Sequence, residues 1–146
     1  GNGVVLGSRA TVSSGVRVGD DVWVGDGARV GDDVWVGDGV RLGEGVVLGN
    51  GVRLGNGVTV GNGVWLSEKT EWQTSPLQIQ GSEHLIYHAG PGMVGVGCQV
   101  LEIGEWRAGA VTLAEEHGYS LEQVEEYLRY LQWMKDEDVR RFGGAV

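Results

Sequence analysis

The sequence predicts a mainly β protein, a solenoid of short parallel strands followed by a small C-terminal α+β appendix containing two helices. Three observations predict it. An aliphatic residue recurs at every sixth position from Leu6 to Leu66, through eleven uninterrupted hexads. Glycine follows that residue at all but one of the next positions up to Gly61, the exception being Ser13. The period stops at Ser67, after which strand-like and helix-like patterns succeed one another. A fixed short period is the mark of a solenoid, because each unit can bury its apolar side only against the next.

Within each hexad a second small site, held by Ala10, Val16, Val22, Ala28 and their successors to Val64, lies two residues before the aliphatic one. Residues two apart on a strand share a face, so both point inward and the residue between them points outward. Gly, Asn and Asp fill the positions after the aliphatic site and tolerate left-handed backbone angles, which places a corner every six residues. Phrases such as GDDVWV, GDGVRL and GNGVWL carry this pattern. It resembles the hexapeptide-repeat left-handed parallel β-helix over residues 1–66.

That resemblance implies three hexads per triangular coil, with residues 18 apart stacked on one face. The outward residues then form three columns: Val5, Trp23, Arg41 and Thr59; Thr11, Arg29, Val47 and Trp65; and Arg17, Trp35 and Arg53. A guanidinium over an exposed indole face stabilises by ~0.5–1 kcal/mol. Trp and Arg are also the residues that anchor interfaces, so Trp23, Arg41, Arg17, Trp35, Arg53 and Trp65 are interface candidates; solvent-facing decoration is the alternative. Threefold assembly is common in the family, and the resemblance implies a homotrimer.

Composition narrows the partners. The net charge is −9, of which the repeat contributes −2 and residues 67–146 contribute −7. Nonspecific nucleic-acid binding needs a basic surface and is not expected. One cysteine, Cys98, excludes an intramolecular disulfide framework and favours a reducing compartment such as the cytoplasm. No apolar run approaches the ~20 residues of a membrane span. Gly1 already stands in coil register, which fits removal of an initiator methionine or a section of a longer solenoid.

After Leu66, the polar SEKTEWQTSP reads as a linker over 67–76, and 77–146 as a small ββαα module. Leu77–Gln80, His84–His88 and Met93–Gly97 alternate like strands, with a Gly-Pro-Gly turn before the third. A first helix is expected from Glu105 to His117, with Trp106, Ala110 and Leu113 inward and Gly118 as its cap. Ser120 and Gln123 have capping-box spacing for a second helix reaching about Met134. Its expected stripe is Leu121, Val124, Leu128 and Leu131, with Glu125 and Arg129 as an i,i+4 pair. The phrases SPLQIQGSEHLIYHAGPG, VGVGCQV and HGYSLEQVEEYLRYL resemble an uncharacterised module of tailed-bacteriophage proteins. This implies a phage or prophage setting and supplies no catalytic residues.

Hexapeptide β-helices are best known as acyltransferases and as a class of carbonic anhydrase, and both depend on His in or beside the coils. Here the repeat holds no His; His84, His88 and His117 all lie beyond it. No enzyme, cofactor or metal is therefore expected. On one strand, His84 and His88 would share a face but stand ~13 Å apart, too far for a common metal without further partners. Cys98 reads as a buried structural thiol, the glycines of 92–97 open no helix for a dinucleotide, and the Asp pairs at 20–21 and 32–33 read as corners. His84, Tyr87, His88, Trp72, Trp106, Arg107 and Tyr119 remain as candidates for a small polar, nucleotide-like ligand, held by stacking and hydrogen bonds; an aromatic core is the plainer reading of Tyr87, Trp106 and Tyr119. The expected function is thus a non-enzymatic, homotrimeric phage binding protein whose ligand or host partner meets the C-terminal module at subunit boundaries. A structural virion component, such as a fibre tip, is the alternative, and an acyltransferase the third.

Overall fold

The computed structural model describes residues 1–97, 99–116 and 118–143, so the expected burial of Cys98 and the end of the first helix at His117 lie outside the described residues. The chain divides into two compact units, residues 1–76 and 77–146.

In the first unit, twelve two-residue strands recur every six residues: β1 Val5–Leu6, β2 Thr11–Val12, β3 Arg17–Val18, β4 Trp23–Val24, β5 Arg29–Val30, β6 Trp35–Val36, β7 Arg41–Leu42, β8 Val47–Leu48, β9 Arg53–Leu54, β10 Thr59–Val60, β11 Trp65–Leu66 and β12 Glu71–Trp72. They form three parallel sheets, β1-β4-β7-β10, β2-β5-β8-β11 and β3-β6-β9-β12, hereafter faces A, B and C. Partners are 18 residues apart, as in Trp23 beside Arg41 and Trp35 beside Arg53, so three hexads make one coil and four coils are stacked. The inward columns from Val22 to Leu66 are buried. In the first coil Leu6 is 55% and Val12 43% exposed.

The twelfth strand corrects the expected linker. Residues 67–72 complete another hexad, with Thr70 in the small site and Trp72 in the aliphatic one. The aliphatic pattern misses it because an indole replaces the aliphatic group; the Trp72 Nε1–H donates to Thr70 Oγ1 at 2.8 Å, which satisfies its polar atom. Ser75 Oγ then accepts the Thr59 N–H at 2.9 Å, in place of the carbonyl that a fifth coil would bring.

The corners are built by two devices. The third residue of each hexad is left-handed; four such sites are not glycine, namely Arg9, Asp21, Asp33 and Lys69, with φ between 57° and 61°. The second residue reaches to the coil before it at Asp20, Asp26, Asp38, Asn50, Asn56 and Asn62. Asp38 Oδ1 accepts the Asp20 N–H at 2.8 Å, Asn56 the Asp38 N–H at 2.8 Å and Asn62 the Glu44 N–H at 2.9 Å. That ladder leaves no room for a side chain at the preceding glycine: a Cβ on Gly37 would stand 2.8 Å from the Asn56 nitrogen.

The second unit has an antiparallel sheet of four strands, β13 Gln78–Gln80, β14 Leu85–Gly90, β15 Met93–Val96 and β16 Gln99–Glu102, in sequential order. The last of these was not expected. The first helix is broken at Gly109 into α1 (Ile103–Ala108) and α2 (Ala110–Glu116), and α3 spans Leu121–Phe142, eight residues beyond the expected end. The Ser120–Gln123 capping box is present, and Gly143 in the left-handed region ends the helix. The buried face of α3 is Tyr127, Leu131, Met134 and Asp138; of the expected stripe Leu131 is buried and Val124 half-buried, whereas Leu128 is exposed and Leu121 81% exposed. Leu131, Met134, Trp106 and Ile103 pack on Ile86 and Val94 of the sheet to form one core. Glu125 and Arg129 form no ion pair; on α3 it is Glu137 that pairs, with Arg140 and Arg141. Among the described residues no helix is long and apolar enough to cross a membrane.

Candidate functional site

Two regions hold the sequence candidates. In the second unit, α3 clamps the turn before β14. Tyr127 Oη accepts the N–H groups of Glu83 and His84, at 3.0 and 2.7 Å, and stands 3.0 Å from the His84 carbonyl to which it donates. Glu126 accepts the Ser82 N–H and hydroxyl, and the Tyr130 hydroxyl. These donors, the Ser82 hydroxyl above all, hold the Glu126 carboxyl below the usual carboxylate range. His84 thus belongs to a turn and not, as expected, to the strand that carries His88. Its Nδ1 meets the Tyr119 hydroxyl and the two rings stack at 5.7 Å. Burial, then the hydrogen bond to Tyr127, pushes the Tyr119 phenol upward, so it remains protonated at neutral pH.

His88 lies in a separate environment. It is fully buried on β14, with Nε2 2.8 Å from Asp138 Oδ1, and the same oxygen accepts the Gly92 N–H at 2.6 Å. Burial lowers the imidazole below its ordinary value, although the Asp138 hydrogen bond opposes this. The neutral ring therefore donates from Nε2 to the carboxylate. Phe142 packs edge-on against it at 5.3 Å. The pair joins the hairpin to the end of α3, and its burial keeps it from solvent.

Of the seven ligand candidates, the structure brings together His84 and Tyr119. Tyr87 is buried on the sheet beneath Gly95, and Trp106 is buried with its Nε1–H donated to Val94 O at 2.7 Å. Arg107 is exposed on α1, and Trp72 is buried in the inward column of the first unit. Among the described residues no group of His, Cys, Asp and Glu could hold a metal ion. Sequence reading passed over Glu126, Tyr127 and Asp138, the residues that organise both histidines. The i,i+11 spacing of Tyr127 and Asp138 on one helix face was the available signal.

The solenoid faces present three exposed indoles; a fourth, Trp133, is exposed on α3. Trp23, Trp35 and Trp65, one on each face, are 55%, 43% and 48% exposed. Trp35 carries the Arg17 guanidinium at 4.9 Å and that of Arg53 at 4.6 Å from its ring centre; Arg41 lies 5.2 Å from Trp23. Arg53 also approaches Glu71 at 3.8 Å. Beside this ladder runs an open groove of about 430 Å³, floored by Gly19, Gly37 and Gly55 and rimmed by Asp38 and Gln73. Each cation sits where the coil register puts it, one step above or below an indole.

The model of the family described as bacterial transferase hexapeptide (six repeats) matches residues 15–50 and, overlapping, 33–67. With the stacked parallel coils, this match identifies the repeat segment as a hexapeptide-repeat left-handed β-helix. No curated protein matches the chain.

Proposed function

We propose that the protein is a non-enzymatic binding protein of a phage or prophage, assembled as a homotrimer through its solenoid, with the C-terminal unit as the recognition module for a small polar ligand or host partner. The observation that carries this reading is an exposed indole on each sheet face, two of them braced by arginines, since Trp and Arg in fixed positions are what protein interfaces use. The half-buried His84–Tyr119 pair is the recognition candidate, offering a stacked imidazole and a phenol on a rigid turn. The matched family's description speaks of transferases. The His-free coils, with His88 sealed against Asp138, support a reading without transfer chemistry.

Light scattering on the whole chain is expected to give three times the 15.6 kDa chain mass. A monomer at micromolar concentration would refute the assembly. Thermal-shift screening with cyclic and ADP-ribose-type nucleotides tests the ligand class, and H84A should abolish any shift found. Acetyl-CoA turnover would overturn the non-enzymatic reading. A second reading, a rigid spacer in a virion fibre, is favoured by the unbroken run of coils without a loop.

A further inference from the structure

The charges of the solenoid are segregated. Arg17, Arg29, Arg41 and Arg53 stand in the outward columns of the faces, with Arg9 and Lys69 at corners, whereas every acid of residues 1–70 stands at a corner and Glu71 alone on a face. A second copy laid face to face would set guanidinium against guanidinium, while a corner laid on a face sets carboxylates against them. Face C carries two guanidinium groups, Arg17 and Arg53, beside Trp35, where faces A and B carry one each; Glu71 in the same column approaches Arg53 and leaves Arg17 uncompensated. The groove lies on the flank of that face leading to the next corner, and a ridge fits it. Asp38 and Glu71 also line it, but one Asp38 oxygen is engaged by the Asp20 N–H and Glu71 lies against Arg53. Arg17 has no acidic partner within 4.0 Å among the described residues.

The corner between faces C and A carries Asp20, Asp21 and Asp38, all exposed, and no Lys or Arg. On a triangular coil, the direction to this corner and the normal of face C differ by about 60°, the angle separating the two neighbours of each member of a closed ring of three. The corner opposite face C would instead generate an open filament. We infer that the C–A corner of each copy seats on face C of the next, with Asp21 against Arg17 across the boundary. Both residues belong to nearly the same height of the stack. They are four residues apart in an 18-residue coil, hence ~1 Å apart along the axis for a strand spacing of ~4.8 Å.

This inference rests on the trimer reading but specifies which surfaces meet, and the two fail separately. Light scattering against concentration is measured for the chain, R17E, D21K and the double variant R17E/D21K. Lys is compatible with position 21, since Lys69 occupies the equivalent left-handed site in the fourth coil. R17E and D21K are each expected to raise the dissociation midpoint at least ~10-fold, and the double variant to restore it, because both charges are reversed at every boundary. Rising salt should weaken the native trimer. A trimer unaffected by either single variant, or single variants that weaken it without rescue, overturns the corner-on-face contact and leaves the trimer standing. A native chain that is monomeric overturns both. D20N/D38N provides a second check: Asn holds the ladder position at Asn50 and Asn56, so the coil remains intact and weakening of the trimer reports charge alone.

Discussion

The two units reach stability by opposite routes. In the solenoid each strand pairs with residues 18 positions away, and the same pairings recur coil after coil. In the C-terminal unit the sheet of residues 78–102 is closed by side chains of α3 more than 40 residues later in the cases of Glu83–Tyr127 and His88–Asp138. A repeat divides its free energy among neighbouring interfaces, and a single core does not. Local damage should therefore be contained in one unit and cooperative in the other.

The largest effect is expected where that difference is starkest. Met134→Ala empties the centre of the single core and should cost about 2–5 kcal/mol of the C-terminal unit's stability. Denaturation followed by hydrogen exchange should show amides of 77–143 losing protection together while those of the coils keep theirs. Simultaneous loss in both units would erase the distinction.

Acid should distinguish them next. Neutral His88 is buried with a lowered pKa, so below the ordinary imidazole value of ~6.5 the unfolded chain binds a proton that the folded chain resists. The C-terminal unit should lose stability as pH falls from ~6.5 toward the folded pKa, and H88Q should remove that slope. Glu137, held near about 2 chiefly by Arg140, adds a second loss between ~4.5 and about 2. Urea titrations at a series of pH values would measure both, and an unchanged slope in H88Q would assign it elsewhere.

Smaller effects test the corners. Asn56→Ala removes the acceptor of the Asp38 N–H and should cost about 0.5–1.5 kcal/mol, whereas Asn56→Asp should restore most of it, as Asp38 does for Asp20. Lys69→Gly relieves a left-handed residue at the last corner and should stabilise by about 0.5–1 kcal/mol in urea denaturation. If both changes prove neutral, the corners contribute shape without stability.

The recurring inward residues made the coils, their register and the outward columns legible from the chain alone, because every determinant lies within one hexad and its image 18 residues on. Trp72 escaped because the pattern sought was aliphatic, although its position was in phase. The C-terminal unit was legible only in part. The capping box at Ser120 and the glycine after α3 are local signals. The choice of Tyr127 and Asp138 for the buried side of α3 was not, since only their partners on the hairpin make those polar groups acceptable inside. For the same reason His84 and His88, similar in sequence context, receive unlike environments: one is half-buried against a phenol, the other sealed against a carboxylate.

By itself, then, the amino-acid sequence determined a triangular stack of coils with Arg and Trp on its walls and acids at its corners, since a six-residue period admits one way of burying its apolar side. Which polar groups lie inside the C-terminal unit and where the groove opens were decided by tertiary structure, because those outcomes depend on groups distant in the chain meeting at hydrogen-bonding and packing distances.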